Sequence, residues 1–183
     1  MNWNLPGTTI TAQREEADLT RQQFDALFLA GGLTLSQVAS ITGLEPYAIQ
    51  NWVKRGFLSP PQGKRYTKEQ VCRIITINML KGTLTLDQIC SLMRYVNGDL
   101  SDSSDDLIND ADLYFMFVRL AAGARHIGGT EAWDDAMASA LNSYREPIPG
   151  ARARVEKALR TMLTAWIANR MRQEVEKMVS ELI

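Results

Sequence analysis

The sequence predicts an all-α fold carrying a small β-wing. Three observations lead there. Leu, Ile, Met and Ala dominate the apolar residues, without the alternating Val and Thr runs typical of strands. One local signal recurs as "TLSQ" (Thr34 to Gln37), "TKEQ" (Thr67 to Gln70) and "TLDQ" (Thr85 to Gln88). It is the capping box, in which a Thr hydroxyl and a Gln amide three residues on satisfy free backbone groups reciprocally, so each occurrence marks a helix start. Finally, the prolines and glycine of "SPPQGKRY" interrupt the helical pattern and predict a short wing.

The elements follow in order. A helix from Thr34 to about Ile41 stops at Gly43, whose missing Cβ permits a left-handed helix end. Pro46 suits the first position of the next helix, because it needs no amide donor there, and that helix ends at Gly56. Two stripes interleave on it. Ile49, Trp52 and Val53 form a packing face, while Tyr47, Gln50, Asn51 and Lys54 form a second, wet one.

Helix, glycine turn and helix with a hydrogen-bonding outer stripe is the helix-turn-helix arrangement, whose second helix fits the DNA major groove. Gln and Asn can bond adenine bidentately, whereas Lys reaches guanine or phosphate. Tyr47, Gln50, Asn51 and Lys54 are therefore the expected base readers. Arg55 and the wing residues Lys64, Arg65 and Tyr66 are the expected backbone contacts. Each of the four cations also fits an ordinary charged surface, and both Trp52 and Tyr66 fit a core; Trp52, on the apolar stripe, is read as a core aromatic.

After the wing, "VCRIITINMLKGTLTLDQICSLMRYV" reads as two helices broken at Lys81-Gly82, the first apolar nearly all round and so enclosed by neighbours. "NGDLSDSSDD" is a polar acidic stretch expected to be a linker. Its Asp99, Ser101, Ser103, Asp105 and Asp110 resemble a calcium loop only faintly, since the required Gly and Glu are replaced by Ser104 and Asp110; helix caps are the better account. "LINDADLYFMFVRLAAG" opens a second helical unit whose aromatics suit core packing better than a ligand pocket. Residues 131–145 form another helix by pattern. The final segment forms one of about 30 residues, with Val155, Leu159, Leu163, Ile167, Met171, Val175, Met178 and Leu182 spaced three or four apart. That stripe suits a homodimer contact, the alternative being a core helix of a monomer.

Charge is uneven along the chain. Residues 33–96 carry eight Lys and Arg against three acids, and residues 97–146 carry ten acids against three arginines, although the whole chain sums to −1. A basic module within an acidic chain points to a polyanion partner, and also fits a solvated helical surface.

Several function classes find no support. Cys72 and Cys90 lie far apart, without a CxxC or a partner histidine, and read as core residues; no metal or other cofactor is expected. The sole histidine, His126, sits among glycines and reads as a helix-end residue, and "GARHIGGT" lacks the Gly-Lys-Ser/Thr run of a phosphate loop. No enzyme is expected. Neither a leader pattern nor about 18 consecutive apolar residues occurs, so the expected location is cytoplasmic, without a membrane partner.

Residues 33–93, with "TGL", Pro46, Trp52, "GFL", the double proline, "GKRY" and the following helix pair, resemble the winged helix-turn-helix head of MerR-type transcription regulators. Such heads usually have Arg and Tyr where this chain has Gln50 and Asn51, and a longer wing. With "RYVNGDL" and "LYFMF" included, the chain is also similar to an uncharacterised bacterial family that joins such a head to a small helical region. The resemblance implies a dimeric DNA-binding regulator.

The expected organisation is an N-terminal helical extension (1–32), a MerR-like head (33–96), an acidic linker (97–108) and a helical effector and dimerisation region (109–183). The expected function is sequence-specific transcription regulation by a homodimer on double-stranded DNA, its effector unspecified. The alternative is an adaptor whose head binds a protein.

Overall fold

The computed structural model describes residues 2–100, 102–124 and 131–182. Among them lie two short antiparallel sheets and eight α-helices. The order is β1 (Asn2–Asn4), β2 (Thr11–Gln13), α1 (Ala17–Ala26), β3 (Leu33–Thr34), α2 (Leu35–Thr42), α3 (Pro46–Lys54) and β4 (Arg65–Tyr66). Then come α4 (Lys68–Leu80), α5 (Leu86–Asn97), α6 (Asp110–Gly123), α7 (Glu131–Ala140) and α8 (Ala151–Ser180). The fold is mostly helical with a small β part, as expected. His126 and Ser101 lie outside the described residues.

The N-terminal segment differs from the helical extension expected for 1–32. Its first half is a β-hairpin with Trp3 opposite Ala12, and a helix begins only at Ala17. The cause is local: Pro6-Gly7 favours a turn, closed by the Thr8 amide donating to the Leu5 carbonyl at 3.0 Å. Gly7 has φ +75°, and a Cβ there would stand 2.5 Å from the Ile75 carbonyl oxygen, so the turn lies directly on α4.

All three Thr-x-x-Gln boxes form. Thr34, Thr67 and Thr85 are the N-caps of α2, α4 and α5, each accepting from the Gln amide while the Gln side chain accepts from the cap amide. Pro46 is at the start of α3, and Gly43 ends α2 with φ +67°.

Helix α4 is the centre of the molecule. Val71, Cys72, Ile74, Ile75, Ile77 and Leu80 are fully buried around its whole circumference, and α6, whose Leu113, Tyr114 and Phe117 are buried, packs against it. The Tyr114 hydroxyl donates to the Pro6 carbonyl at 3.0 Å, which ties α6 to the N-terminal turn. One hydrophobic cluster runs from Leu33, Ile49 and Tyr66 through α4 to Val155, Leu159 and Leu163 of α8. The stretch 97–108 contributes Leu107 and Ile108 to it, with the Leu107 amide donating to the Val96 carbonyl at 2.8 Å. Cys72 and Cys90 are buried and unpaired.

Helix α8 divides in two. Its buried residues end at Ala165, whereas every described residue from Arg170 onward is exposed. No helix among the described residues is long and apolar enough to cross a membrane.

Candidate nucleic-acid interface

The candidate interface is built by the α2–α3 turn and the hairpin before α4. Thr42 closes α2, its hydroxyl donating to the Val38 carbonyl at 2.7 Å, and the chain turns at Gly43 into α3. Leu44 (8% exposed) anchors the turn, and Ile49 (0%) and Trp52 (5%) fix which face of α3 points inward. Tyr47, 71% exposed, therefore points outward, as do Gln50, Asn51, Lys54 and Arg55. The Arg55 guanidinium lies over the Phe57 ring, 4.6 Å from its centre, an arrangement that holds the cation near the end of α3 while leaving its edge in water.

The wing is a two-residue hairpin. Gln62 and Arg65 exchange both backbone hydrogen bonds, at 3.0 and 2.9 Å, across Gly63 (φ +53°) and Lys64 (φ +64°). Positive φ at both central residues is the turn whose twist matches paired strands. Lys64 adopts it despite its Cβ and occupies the exposed tip. The hairpin continues as β4, which pairs with β3 in the register Leu33–Tyr66 and Thr34–Arg65. The Arg65 guanidinium donates to the Gly32 carbonyl at 2.8 Å, so this side chain is oriented by the backbone of β3's approach.

Tyr66 departs from its expected role. It is 3% exposed and belongs to the core, where burial pushes its phenol pKa up. The cause is strand alternation: Arg65 and Tyr66 sit on opposite faces of β4, and only Arg65 faces water. Tyr66 is a packing residue, leaving Lys64 and Arg65 as the wing's outward groups.

Gln70 has a role that its capping box alone does not announce. Its Oε1 accepts from the Thr67 amide at 2.9 Å, while its Nε2 donates to the Ser59 carbonyl, the Ser59 hydroxyl and the Pro60 carbonyl at 3.1, 2.9 and 2.9 Å. One amide thus starts α4 and clamps the approach to the wing. The double proline removes donors from this segment, and Gln70 supplies the donor its carbonyls need.

Lys54, Arg55, Lys64 and Arg65 are exposed, and none forms an ion pair among the described residues. The nearby Lys68 is different, pairing with Asp25 at 3.2 Å. Among the described residues no three His, Cys, Asp or Glu side chains are placed to hold a metal ion. In the acidic stretch, Asp102 accepts from the Ser104 amide at 2.9 Å and Asp105 from the Asp99 amide at 3.2 Å, so these carboxylates close local turns.

Fold and site define a mostly helical protein that presents a short polar helix and a basic hairpin tip. The chain belongs to the family described as a domain of unknown function, DUF1836, whose pattern matches residues 18–117. That span runs from α1 through the helix pair and hairpin into α6. The chain is also similar to an uncharacterized protein, YkrK, of Bacillus subtilis (strain 168), with 32% identity over 84 residues. The match covers 44% of this chain and 36% of that relative's length. No solved structure matches the chain significantly.

Proposed function

We propose that this protein is a cytoplasmic, sequence-specific DNA-binding transcription regulator with a MerR-like winged helix-turn-helix head, acting as a homodimer through its C-terminal helix. The observation that carries the reading is the set of four exposed cations without acidic partners, Lys54, Arg55, Lys64 and Arg65, distributed over α3 and the wing. Cations left uncompensated by the fold are available to phosphates, whose binding releases condensed counterions. Tyr47, Gln50, Asn51 and Lys54 enter the major groove and read base edges. Arg55, Lys64 and Arg65 hold the backbone and set the register. Clamping by Gln70 keeps the wing in place before DNA arrives, which reduces the ordering cost of binding.

The test is selection of bound fragments from random genomic DNA with the full chain, followed by anisotropy titrations at several salt concentrations. A log-log slope of about −0.9 per phosphate contact is expected. Absence of duplex binding at low salt would remove the proposal.

A further inference from the structure

Between the approach to the wing, the end of α5 and the start of α6 lies a cleft of about 410 Å3. Ser59 and Gln70 line it, together with Asn97, Asp106 and Asp110. Lys54, Arg55, Lys64 and Arg65 do not, so it is separate from the surface described above.

The lining is acidic. Glu69 and Asp99 bring its carboxylates to four, against Arg73 as the one Lys or Arg there. Arg73 is already committed, its Nη1 donating to Asp110 Oδ2 at 2.9 Å. Acidic groups by themselves describe a solvated surface. A buried group with nothing to bind adds a second requirement. Asn97 is 4% exposed and its Nδ2 donates to Asp110 Oδ1 at 2.9 Å, yet its own Oδ1 is enclosed and has no donor among the described residues. An enclosed carbonyl left in that state costs free energy, which a bound N–H recovers.

Asp106 supplies the third element. It is half-buried and forms no ion pair among the described residues. Burial raises its pKa to about 6, with the Asp110 and Asp105 carboxylates acting in the same direction and Arg73 opposing them. At neutral pH the cleft therefore holds a carboxylate that is ionised at a cost, and a cation beside it relieves that cost.

The chemistry of the occupant follows. Water can donate to the Asn97 oxygen but leaves the charge excess in place. A metal ion fits less well, since among the described residues no three His, Cys, Asp or Glu side chains are placed to hold one. An ammonium group meets both requirements, because it carries the charge and three N–H donors.

We propose that this cleft binds a small organic amine in its ammonium form, with Asp106 opposite the charge and Asn97 Oδ1 accepting one of its N–H groups. The volume is of the order that small-molecule sites occupy, about 300–1,000 Å3. Glu69, exposed in the first turn of α4, is available to a second ammonium on the same molecule.

Isothermal titration of the full chain with putrescine, butylamine and tetramethylammonium tests this, at about pH 8 so that Asp106 is ionised. Saturable binding of the two amines is expected, with tetramethylammonium at least about tenfold weaker because it offers charge without an N–H. Putrescine tighter than butylamine assigns Glu69 to a second ammonium; equal affinity leaves one ammonium as the recognised part, and both uphold the site. Asp106→Asn keeps the shape and removes the charge, so it should retain its circular dichroism and lose affinity by about tenfold or more. Glu69→Gln, on an exposed side chain, tests the second contact in a variant whose fold is undisturbed, with a loss of about threefold for putrescine and none for butylamine. Heat that does not saturate with either amine, or wild-type affinity in Asp106→Asn, overturns the proposal. So does tetramethylammonium bound as tightly as the amines, since the attraction would then be diffuse, or calcium bound more tightly than putrescine. The titrations contain no DNA, so their failure leaves the duplex measurements unaffected.

Discussion

Arg73 Nη1 donates to Asp110 Oδ2 at 2.9 Å, and the two side chains are only 6% and 12% exposed. The other Asp110 oxygen accepts from Asn97 Nδ2 at 2.9 Å. One carboxylate therefore joins the middle of α4, the end of α5 and the start of α6. Burial still raises the Asp110 pKa despite the adjacent guanidinium, so desolvation outweighs attraction at this site.

Removing one partner should leave the other charge buried and alone. Arg73→Met is expected to lower the unfolding free energy by about 3–5 kcal/mol, whereas Arg73→Met combined with Asp110→Leu should recover most of that loss. Urea unfolding of the single and double variants measures it. A single-variant loss below about 1 kcal/mol would mean that the pair is solvated after all.

Asp106 gives the fold a pH dependence. Burial raises its carboxyl pKa to about 6, the Asp110 and Asp105 carboxylates push in the same direction, and Arg73 opposes them. A folded value above the unfolded one means that the folded chain holds the proton more tightly. The stabilisation is thus fully present below about pH 4 and is lost as pH rises through about 6. Asp106→Asn should accordingly stabilise the protein at about pH 7.5 relative to wild type, by roughly 1–2 kcal/mol, with little gain near pH 4. Thermal melts across that range decide it, and an equal gain at both ends would exclude titration as the cause.

The helix starts were legible because capping is local: Thr34, Thr67 and Thr85 each carry their Gln partner three residues on. Gly43, Pro46 and the inward stripe of α3 were legible for the same reason. What failed depended on partners distant in sequence or on very short elements. The strands Asn2–Asn4 and Thr11–Gln13 are three residues each, too short for a period to appear, and only Pro6-Gly7 between them signals a turn. Tyr66 beside three basic or polar residues reads as surface until the pairing of β4 with β3 fixes which way it faces. Gln70's hold on Ser59 and Pro60, eleven and ten residues back, has no sequence signature beyond its capping box.

Tyr66 now separates packing from contact. Tyr66→Phe keeps the ring and should leave both stability and the salt slope of DNA binding unchanged, because the hydroxyl is not among the outward groups. Tyr66→Ala opens a cavity in the core and should cost about 3–5 kcal/mol. Denaturant midpoints and binding titrations on both variants distinguish the two roles. A flattened salt slope in a fully folded Tyr66→Phe would restore the phenol to the interface.

The outward residues should divide by function. Gln50→Ala is expected to relax the selected sequence at one position, costing about 1–3 kcal/mol on the preferred base pair, with the salt slope intact. Lys64→Ala should weaken all sequences alike and reduce the slope by about 1. Both side chains are exposed, so folding should be undisturbed. Fragment selection and salt titration with each variant read the difference, and identical profiles would argue against separate base and backbone contacts.

The far half of α8 bears on the two-headed arrangement. Met171, Val175, Met178 and Leu182 are 50%, 58%, 58% and 84% exposed, and their spacing of three and four residues lays them along one stripe. A helix that leaves the body with an apolar seam is soluble by itself only at a cost, and a second copy of the same seam removes that surface from water. The seam spans only about three turns, so the dimer should dissociate at low concentration. Sedimentation of the full chain should therefore show a concentration-dependent monomer–dimer equilibrium. Met171→Lys combined with Val175→Lys should give monomer throughout with unchanged helicity, since neither residue touches the core. Loss of the second head removes an effectively intramolecular binding step, so affinity for a two-half-site duplex should fall by about a hundredfold, while a single half-site is bound as before. A wild-type chain that sediments as a monomer at every concentration would assign α8 no part in pairing, and would leave each head to bind its half-site alone.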